Sequence, residues 1–386
     1  MELYIHIPFC RQKCRYCDFP SFAGCENRQE LYVDSLLREL RLRRREVTEP
    51  IRTVYIGGGT PSTLPVFLTR RLMEGVREVL PPEGIGEYTI EANPGTVTME
   101  WLETIRVLGC NRLSLGVQAA QDDLLAKLGR IHRFHEAEEA VRMARRAGFA
   151  NLNLDLIFGI PGQTIADWRE TLEKAIALGP EHISAYGLIL EEGTEMERMV
   201  RAGDAVLPEA EAEREMYDIA LRTLAENGYK QYEISNFARD GHECRHNIGY
   251  WTQVPYLGVG LGAASMVNLR QGPEGMTYER NVNPVSFEGY QAYVDCLAEK
   301  GAPWEARWES IGPEEARFET VMLNLRMNQG LDEGEFLRMH GVGFGECYGD
   351  IAERLEKQGL MIHEGKSWRL TRRGMDIQNA VLVEFM

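Results

Sequence analysis

Three cysteines lie within eight consecutive positions near the start of the chain, as Cys10, Cys14 and Cys17 in a C-x3-C-x2-C pattern. Four thiolates saturate a four-iron cube, so three nearby thiolates leave one iron free for another ligand. The spacing therefore predicts an open [4Fe–4S] cluster. Two other interpretations are a zinc site, which usually needs a fourth ligand such as His6 or Cys244, and a chance grouping.

The cysteine pattern resembles the signature of radical S-adenosylmethionine (SAM) enzymes, in which it follows an N-terminal strand. Tyr16 fits the same resemblance, because the family favours an aromatic residue just before the last cysteine. The resemblance implies that the open iron chelates the amine and carboxylate of SAM, and that the reduced cluster cleaves SAM to a 5′-deoxyadenosyl radical. The protein's own part in such chemistry is orientation and shielding.

Candidate ligand-binding residues follow the predicted strands further along the chain. The run Gly57-Gly58-Gly59-Thr60 would let the backbone approach a ligand closely. Glu91, Gln118 and Arg130 come at or after the ends of other strands. Asp155 lies within an apolar strand, where an unpaired carboxylate is costly, so we expect it to have a partner. Taken singly, each residue is equally well explained as a polar residue of the surface or of a barrel layer.

Together these positions resemble the oxygen-independent coproporphyrinogen III oxidase-like family over essentially the whole chain. The resemblance implies that Tyr4 packs on the cofactor near the cluster. It also implies that the loop containing Gly58, Gly59 and Thr60 receives the amino group of the methionine moiety.

The same resemblance implies roles for four more residues. Gln118 and Asp155 would contact the ribose of SAM. Arg130 would pair with the methionine carboxylate, for which a planar guanidinium is well suited. Glu91 would lie beside the sugar or the amine. No residue is assigned a catalytic role.

Three features favour the heme chaperone branch of this family over its decarboxylating oxidases. The oxidases have another cysteine two residues after the third, where this chain has Phe19. They also have a long N-terminal extension, whereas the first strand here is predicted to begin at residue 3. The segment 246–251 reads H-N-x-x-Y-W, which is characteristic of the chaperone branch.

The residue types of this segment suit heme. A nitrogen of His246 can ligate heme iron, and Tyr250 and Trp251 offer flat apolar surface with polar edges. His242 and Cys244 are alternative axial ligands. In the competing interpretation, His246 and Asn247 form a hydrogen-bonded pair in a loop and Trp251 belongs to the core.

The sequence therefore predicts a heme chaperone that uses a [4Fe–4S] cluster and SAM and carries heme as cargo. By resemblance, its recipients are hemoproteins, with membrane-associated respiratory enzymes among them, and a homodimer is compatible with it. The alternative is radical oxidative decarboxylation of coproporphyrinogen III, or another radical reaction on a tetrapyrrole.

Alternating strands and helices must position these residues in the first two-thirds of the chain. Six strand–helix repeats predict an α/β fold, a partial (β/α)6 TIM-like barrel whose active site is built by the loops after the strands. Strands are predicted at Leu3–His6, Thr53–Ile56, Tyr88–Ala92, Arg112–Gly116, Leu152–Ile157 and His182–Leu188. Helices are predicted at Arg28–Glu46, Pro65–Val79, Thr98–Leu108, Phe134–Ala147, Ile165–Leu178 and Glu209–Asn227.

Three regions are predicted: the barrel at 1–235, a connecting region at 236–300, and a C-terminal helical, winged-helix-like domain at 301–386. The first part of the connecting region, 236–285, is interpreted as loop with short strands. The C-terminal domain lacks a dense basic recognition helix, so we interpret it as a packing domain rather than a DNA reader. Its elements are predicted at Pro313–Met327, Leu331–Met339, Tyr348–Gln358, Leu360–Glu364, Ser367–Leu370 and Thr371–Val381.

Composition limits the classes of partner. The chain has 386 residues and a formal net charge of −16, which argues against non-specific binding to nucleic acid or anionic lipid. The basic run 41–45 is predicted to be a solvated helix face. No apolar stretch approaches the roughly 20 residues of a membrane span, and no signal peptide is recognisable. We therefore expect a cytoplasmic protein, which is compatible with peripheral contact with a membrane.

Overall fold

The computed structural model describes residues 1–81, 83–301 and 308–386, and its largest element is a sheet of twelve strands. Strands run in the order β14-β13-β12-β11-β1-β4-β5-β6-β7-β8-β10-β9. In chain order the strands are β1 Glu2–Ile7, β2 Phe9–Cys10, β3 Phe22–Ala23, β4 Thr53–Gly58, β5 Glu87–Ala92, β6 Arg112–Gln118, β7 Leu152–Phe158, β8 His182–Gly187, β9 Lys230–Gln231, β10 Asn236–Ala238, β11 Tyr256–Val259, β12 Ala264–Gly272, β13 Gly275–Val282, β14 Trp308–Ile311, β15 Leu331–Asp332, β16 Met361–Glu364 and β17 Ser367–Leu370.

The six predicted barrel strands are confirmed as β1, β4, β5, β6, β7 and β8, which pair in parallel and in that order. Alternation along each strand separates two faces. In β1, Leu3, Ile5 and Ile7 are fully buried in the main hydrophobic core. The alternate residues of this strand are polar or aromatic. The sequence thus forms a partial barrel whose interior carries polar side chains.

Helices follow the barrel strands and cover the apolar face of the sheet. The predicted bounds of the six major barrel helices agree with the structure to within three residues at every end. In chain order the helices are α1 Gln29–Arg43, α2 Val66–Val79, α3 Met99–Val107, α4 Asp122–Lys127, α5 Phe134–Arg146, α6 Ile165–Ala177, α7 Glu195–Ala202, α8 Ala210–Glu226, α9 Arg245–Trp251, α10 Phe287–Lys300, α11 Pro313–Asn324, α12 Glu333–His340, α13 Phe344–Lys357, α14 Arg372–Asp376 and α15 Gln378–Val383.

The segment 236–285 is more regular than its composition predicts. β11 pairs in parallel with β1, and β12 and β13 form a long antiparallel hairpin beside it. The interpretation of this segment as loop with short strands was wrong for β12 and β13, which are nine and eight residues long. Some of its glycines and asparagines, such as Gly258, Asn268 and Asn281, lie in strands of the large sheet. The connecting region therefore extends the barrel sheet, and the domain limits at 235 and 300 stay predictions.

The C-terminal part has its own small sheet, in the order β15-β17-β16, and its own hydrophobic core. The predicted helices and the hairpin are present, but the last predicted helix is two short helices, α14 and α15. Phe336, Phe344 and Trp368 pack at the centre of this core. The start of the predicted domain, 302–307, lies outside the described residues.

The basic run 41–45 is not uniformly solvated. The Arg43 side chain is fully buried and forms ion pairs with Glu39 and Glu46. It also donates to the carbonyl of Gly258 at 2.9 Å. The prediction of a solvated face was wrong at this residue, because the guanidinium links α1 to β11 and its carboxylate partners make that burial tolerable.

Within the described residues, no helix combines the length and the apolar character that a bilayer crossing requires.

Candidate functional site

One cavity of about 420 Å³ contains most of the residues that the sequence singled out. It lies at the carboxyl ends of the barrel strands, where the fold predicts an active site. Two larger surface grooves, of about 790 and 710 Å³, are lined mainly by charged helix residues and include none of the predicted site residues. The predicted residues that line the 420 Å³ cavity are Cys10, Cys14, Cys17, Gly58, Gly59, Thr60, Glu91, Gln118, Arg130 and Asp155.

The cysteine loop is fastened to neighbouring loops on both sides. The backbone N–H of Arg15 donates to the carbonyl of Leu128, and the Gln12 amide donates to the carbonyl of Gly129. At the other side, the N–H of Met196 donates to the carbonyl of Arg15. These contacts hold the loop over the strand ends and direct its thiols into the cavity.

The environment of the thiols fits a metal cluster. Cys10 Sγ lies 3.5 Å from Thr60 Oγ1, and Arg130 donates to Cys14 Sγ at 3.5 Å. Burial raises the pKa of the Cys10 and Cys17 thiols, so in this protein proton release accompanies binding of a metal.

The residues proposed to complete a zinc site are engaged elsewhere. Both ring nitrogens of His6 lie within hydrogen-bonding distance of oxygens, those of the Tyr4 hydroxyl and the Pro20 carbonyl. The Cys244 thiol donates to a carboxylate oxygen of Glu87, which is the first residue of β5, far from the strand ends that carry the cavity. The zinc interpretation therefore lacks its fourth ligand in this structure.

The glycine run is required by close packing. Gly58 has a φ of +104°, and a Cβ there would lie 2.3 Å from the His6 ring. A Cβ on Gly59 would lie 2.7 Å from the carbonyl oxygen of Ile7. The glycines thus let β4 end against the start of the cysteine loop, and their backbone groups line the cavity.

Glu91 is held in the cavity by two donors. The Tyr55 hydroxyl donates to Oε1 at 2.7 Å, and the N–H of Gly58 donates to Oε2 at 3.1 Å. Burial, together with the nearby Asp155 carboxylate, raises the pKa of Glu91 to about 7. A carboxylate fixed in this way suits a cationic group of a ligand.

Asp155 has partners, as expected for a carboxylate within a strand. Ser114 donates to Oδ2 at 3.0 Å, and the side-chain amide of Asn153 donates to Oδ1 at 2.8 Å. Burial nevertheless raises its pKa. The prediction that Asp155 is paired is confirmed.

Gln118 reaches the cavity from an unusual backbone conformation, and Arg130 reaches it while bonded to the same strand, β6. Gln118 has a φ of +70°, and the register of β6 against β7 shifts between Gly116 and Gln118. Such strain in a non-glycine residue clusters at ligand sites. Arg130 donates to the carbonyl of Gly116 at 2.6 Å, while its buried Nε has no partner among the described residues. That orphan donor fits a carboxylate ligand.

Tyr4 is not among the residues that line the cavity. Its hydroxyl lies 2.9 Å from Nδ1 of His6, and its ring packs against Tyr55, which does line the cavity. Tyr4 therefore supports a residue of the cavity wall, and direct contact with a cofactor stays a prediction.

His246 lies at the opposite end of the barrel. It is 1% exposed, with Nδ1 at 2.7 Å from Thr53 Oγ1 and Nε2 at 2.9 Å from the Tyr250 hydroxyl. Burial lowers its pKa to about 3. Glu2 lies 3.7 Å from Nδ1, but burial raises the pKa of this carboxyl to about 8, so the contact is not an ion pair.

Ligation of heme by His246 would require the ring to leave this pocket. Both ring nitrogens have partners in the structure, and neither is available to iron while they do. The competing interpretation is right that the imidazole is engaged in hydrogen bonds, but its partners are Thr53 and Tyr250 rather than Asn247. Trp251, which that interpretation assigned to the core, is only partly buried. Heme ligation by His246 stays a prediction.

Apolar side chains surround the mouth of the cavity. Phe19 is 58% exposed and Ile189 is 69% exposed, although both line the cavity. Tyr186, which is 39% exposed, also lines the cavity. The residue that replaces the fourth cysteine of the oxidases thus contributes apolar surface at the entrance.

Several residues that hold the carboxylates of the cavity were not predicted. Tyr55, Ser114 and Asn153 hold the two carboxylates, and each lies on a barrel strand in the inward-facing alternation. The signal was available, since Tyr55 stands two residues before Gly57 and Asn153 two residues before Asp155.

Two family models match the chain. Residues 4–175 match the radical SAM superfamily, and residues 311–377 match the HemN C-terminal domain. The first match contains the cysteine loop and every other predicted residue that lines the cavity.

Curated relatives match over nearly the full length. A heme chaperone HemW from Bacillus subtilis is 36% identical over 99% of this chain and 98% of its own. A heme chaperone HemW from Escherichia coli is 34% identical over 100% of this chain and 98% of its own. The solved structure of HemN, the coproporphyrinogen III oxidase of Escherichia coli, covers all of this chain and 89% of its own with a TM-score of 0.83. At 24% identity, that last likeness shows the shared fold alone.

Proposed function

Because this chain belongs to the HemW family of radical SAM proteins, we propose that it is a heme chaperone that carries heme to hemoprotein recipients. It binds a [4Fe–4S] cluster and SAM, as its family does. The observation that carries the proposal is the full-length match to HemW relatives, in a chain whose three cysteines share one cavity with the polar residues at the strand ends.

The cluster belongs on Cys10, Cys14 and Cys17, and SAM belongs beside it in the 420 Å³ cavity. When bound, this pair of groups supplies one-electron chemistry at an iron that the protein does not ligate. The chain's own residues would bind and orient SAM. The unpaired Nε of Arg130 suits the methionine carboxylate, since it is a buried donor without a partner.

The remaining polar residues are proposed to hold the other parts of SAM. The backbone of Gly58 and Gly59 and the side chain of Thr60 approach the amino group, with the Glu91 carboxylate nearby. Gln118 and Asp155 face the ribose. What supports these roles is that all these groups converge on the space next to the cysteine loop.

Heme is the proposed cargo, and its site is open to test. Axial ligation by His246 requires its ring to move, because one nitrogen is bonded to Thr53 of β4 and the other to Tyr250 of α9. Membrane-associated respiratory enzymes as recipients, a homodimer, and a cytoplasmic location with peripheral membrane contact are further parts of the proposal.

Anaerobic reconstitution tests the function. We expect the wild-type protein to contain four irons and four sulfides per chain, as a [4Fe–4S] cluster requires, to bind SAM and heme, and to pass heme to an apo-hemoprotein. The Cys14→Ala variant is the matched control for the cluster. Conversion of coproporphyrinogen III to protoporphyrinogen by the reduced protein would contradict the chaperone proposal and favour the decarboxylase. Release of 5′-deoxyadenosine would show whether SAM is cleaved.

Heme titration tests the ligand separately. Wild type and His246→Ala are compared by their Soret bands and heme affinities. Equal spectra and equal affinities would remove His246 from the heme site.

A further inference from the structure

The helix α9 closes the end of the barrel that is opposite to the cavity. Its first N–H groups, those of Arg245 and His246, donate to the Glu87 carboxylate at 3.0 and 3.1 Å. Glu87 is the first residue of β5, as Glu2 is of β1. A Cβ on Gly249 would lie 1.9 Å from Glu2 Oε1, so the helix is pressed directly onto the strand starts.

The His246 ring extends from α9 into the barrel. Hydrogen bonds at both nitrogens, to Thr53 and Tyr250, fix its plane. One face stacks on the Tyr55 ring, with centroids 5.1 Å apart and planes at 25°. The imidazole is thus a rigid support beneath Tyr55.

Tyr55 connects this support to the cavity. Its ring rests on His246, and its hydroxyl donates to Glu91 Oε1 at 2.7 Å. Both Tyr55 and Glu91 line the cavity, whereas His246 does not. A shift of the imidazole would therefore move the hydroxyl that orients the carboxylate.

We infer that His246 is a positioning residue of the SAM site, which it serves through Tyr55 and Glu91 from the far end of the barrel. The contact that acts is the stacked ring. The inference rests on the proposed binding of SAM in the cavity and is independent of whether the same histidine ever meets heme. It gives the H-N-x-x-Y-W segment a function at the end of the partial barrel that α9 covers.

SAM affinity of the anaerobically reconstituted full-length protein tests the inference. We expect His246→Gln, which removes the ring, to weaken SAM binding about tenfold, the loss that accompanies one disturbed hydrogen bond to a charged group. His246→Phe keeps a flat ring beneath Tyr55 and should bind SAM within about twofold of wild type. The change that SAM causes in the electron paramagnetic resonance spectrum of the reduced cluster provides a second readout.

Two further variants separate positioning from general destabilisation. Tyr55→Phe should also weaken binding about tenfold, and adding His246→Gln to it should cause little further loss, because both act through one contact. His340→Gln is the matched control, since His340 is also 1% exposed and bonds a threonine, Thr320, but lies in the C-terminal part. Its SAM affinity should equal that of wild type.

Each outcome bears on the inference. Equal SAM affinity in wild type and His246→Gln, equal losses in His246→Gln and His246→Phe, or additive losses in the double variant would overturn it while leaving the cofactor assignment intact. Failure of the wild-type protein to bind SAM would overturn both. If His246→Gln does not fold, His246→Leu replaces it, since leucine is apolar but has no flat ring; SAM affinity in His246→Leu equal to that in His246→Phe would overturn the inference.

Discussion

The pH dependence of SAM binding should report directly on Glu91. Burial raises the pKa of this carboxyl to about 7, and Asp155 contributes in the same direction. The Glu91 carboxyl is then mostly ionised at about pH 8 and mostly protonated at about pH 6. We expect the ionised form to be the one that interacts with the amino group of SAM. If only the carboxylate form binds, the ionised fraction falls from about nine-tenths to about one-tenth, so SAM affinity should fall about tenfold over this range.

Two variants should move this acid limb in opposite directions. Tyr55→Phe removes a hydrogen bond that lowers the pKa of Glu91, so the limb should move to higher pH. Asp155→Asn removes a neighbouring negative charge, so the limb should move to lower pH. In Glu91→Gln the limb should disappear, and affinity should be low at every pH.

Equilibrium dialysis of SAM against the reconstituted protein, with iron content checked at each pH, measures these affinities. The amino group of free SAM titrates on the alkaline side, near the ordinary range of an α-amino group at about 8, and affects all variants alike. An unchanged acid limb in Glu91→Gln would refute the reasoning, because the titration would then belong to another group.

Three other predictions concern the cluster and stability. Cys14→Ala should lose the cluster, measured as iron and sulfide per chain, because two thiolates remain for a cube that the family holds with three. Gly58→Ala should lower the free energy of unfolding by about 1–3 kcal/mol in urea titrations, because of backbone strain and the contact of the new Cβ with His6. Gly24→Ala is the control for backbone strain alone, since Gly24 has a φ of +70° and a Cβ there would have no atom within 4 Å. Burial raises the pKa of Glu2 from 4.5 to about 8, so the folded protein holds a proton that the unfolded chain releases, and stability should fall as pH rises from 4.5 to about 8. Glu2→Gln should remove that part of the fall, and parallel stability curves for wild type and variant would contradict it.

The barrel could be predicted from the sequence because its strands and helices have clear periods. Short apolar runs bounded by glycine, followed by amphipathic helices, place the elements within a few residues of where they lie. The hairpin of β12 and β13 could not be predicted in the same way. Its residues are half exposed near a sheet edge. It joins the barrel through β11, whose other partner, β1, is more than 250 positions away in the chain.

The residues of the cavity could be predicted where the required chemistry imposes a recognisable spacing of residue types. Cysteine spacing and the polar residues at strand ends identified ten residues that share one space. The position of His246 could not be read in this way. The motif shows which side chains are present. Which of them point into the barrel depends on the packing of Gly249 of α9 against Glu2 of β1, which are far apart in the sequence.

The polar interior of this barrel follows from its two cavity carboxylates. Barrels of this class are usually filled by branched apolar side chains. Here each buried carboxylate needs hydrogen-bond donors, and the donor side chains need hydrogen-bond partners in turn. Polar residues therefore continue along the strands, away from the cavity. Asp155 bonds Asn153, which lies 2.6 Å from a nitrogen of His182, and His182 in turn reaches the Tyr232 hydroxyl at 2.8 Å.

This series of hydrogen bonds from Asp155 ends at the same helix as the contacts that lead from Glu91 to His246. The Tyr232 hydroxyl accepts from the N–H of Cys244, the residue that precedes α9, while His246 of the same helix supports Tyr55 and Glu91. Both carboxylates of the cavity are therefore braced against one short helix at the far end of the barrel. Because interacting networks respond as units, a disturbance of α9 should affect Glu91 and Asp155 together, and the segment that marks the family acts on the cofactor site without touching it.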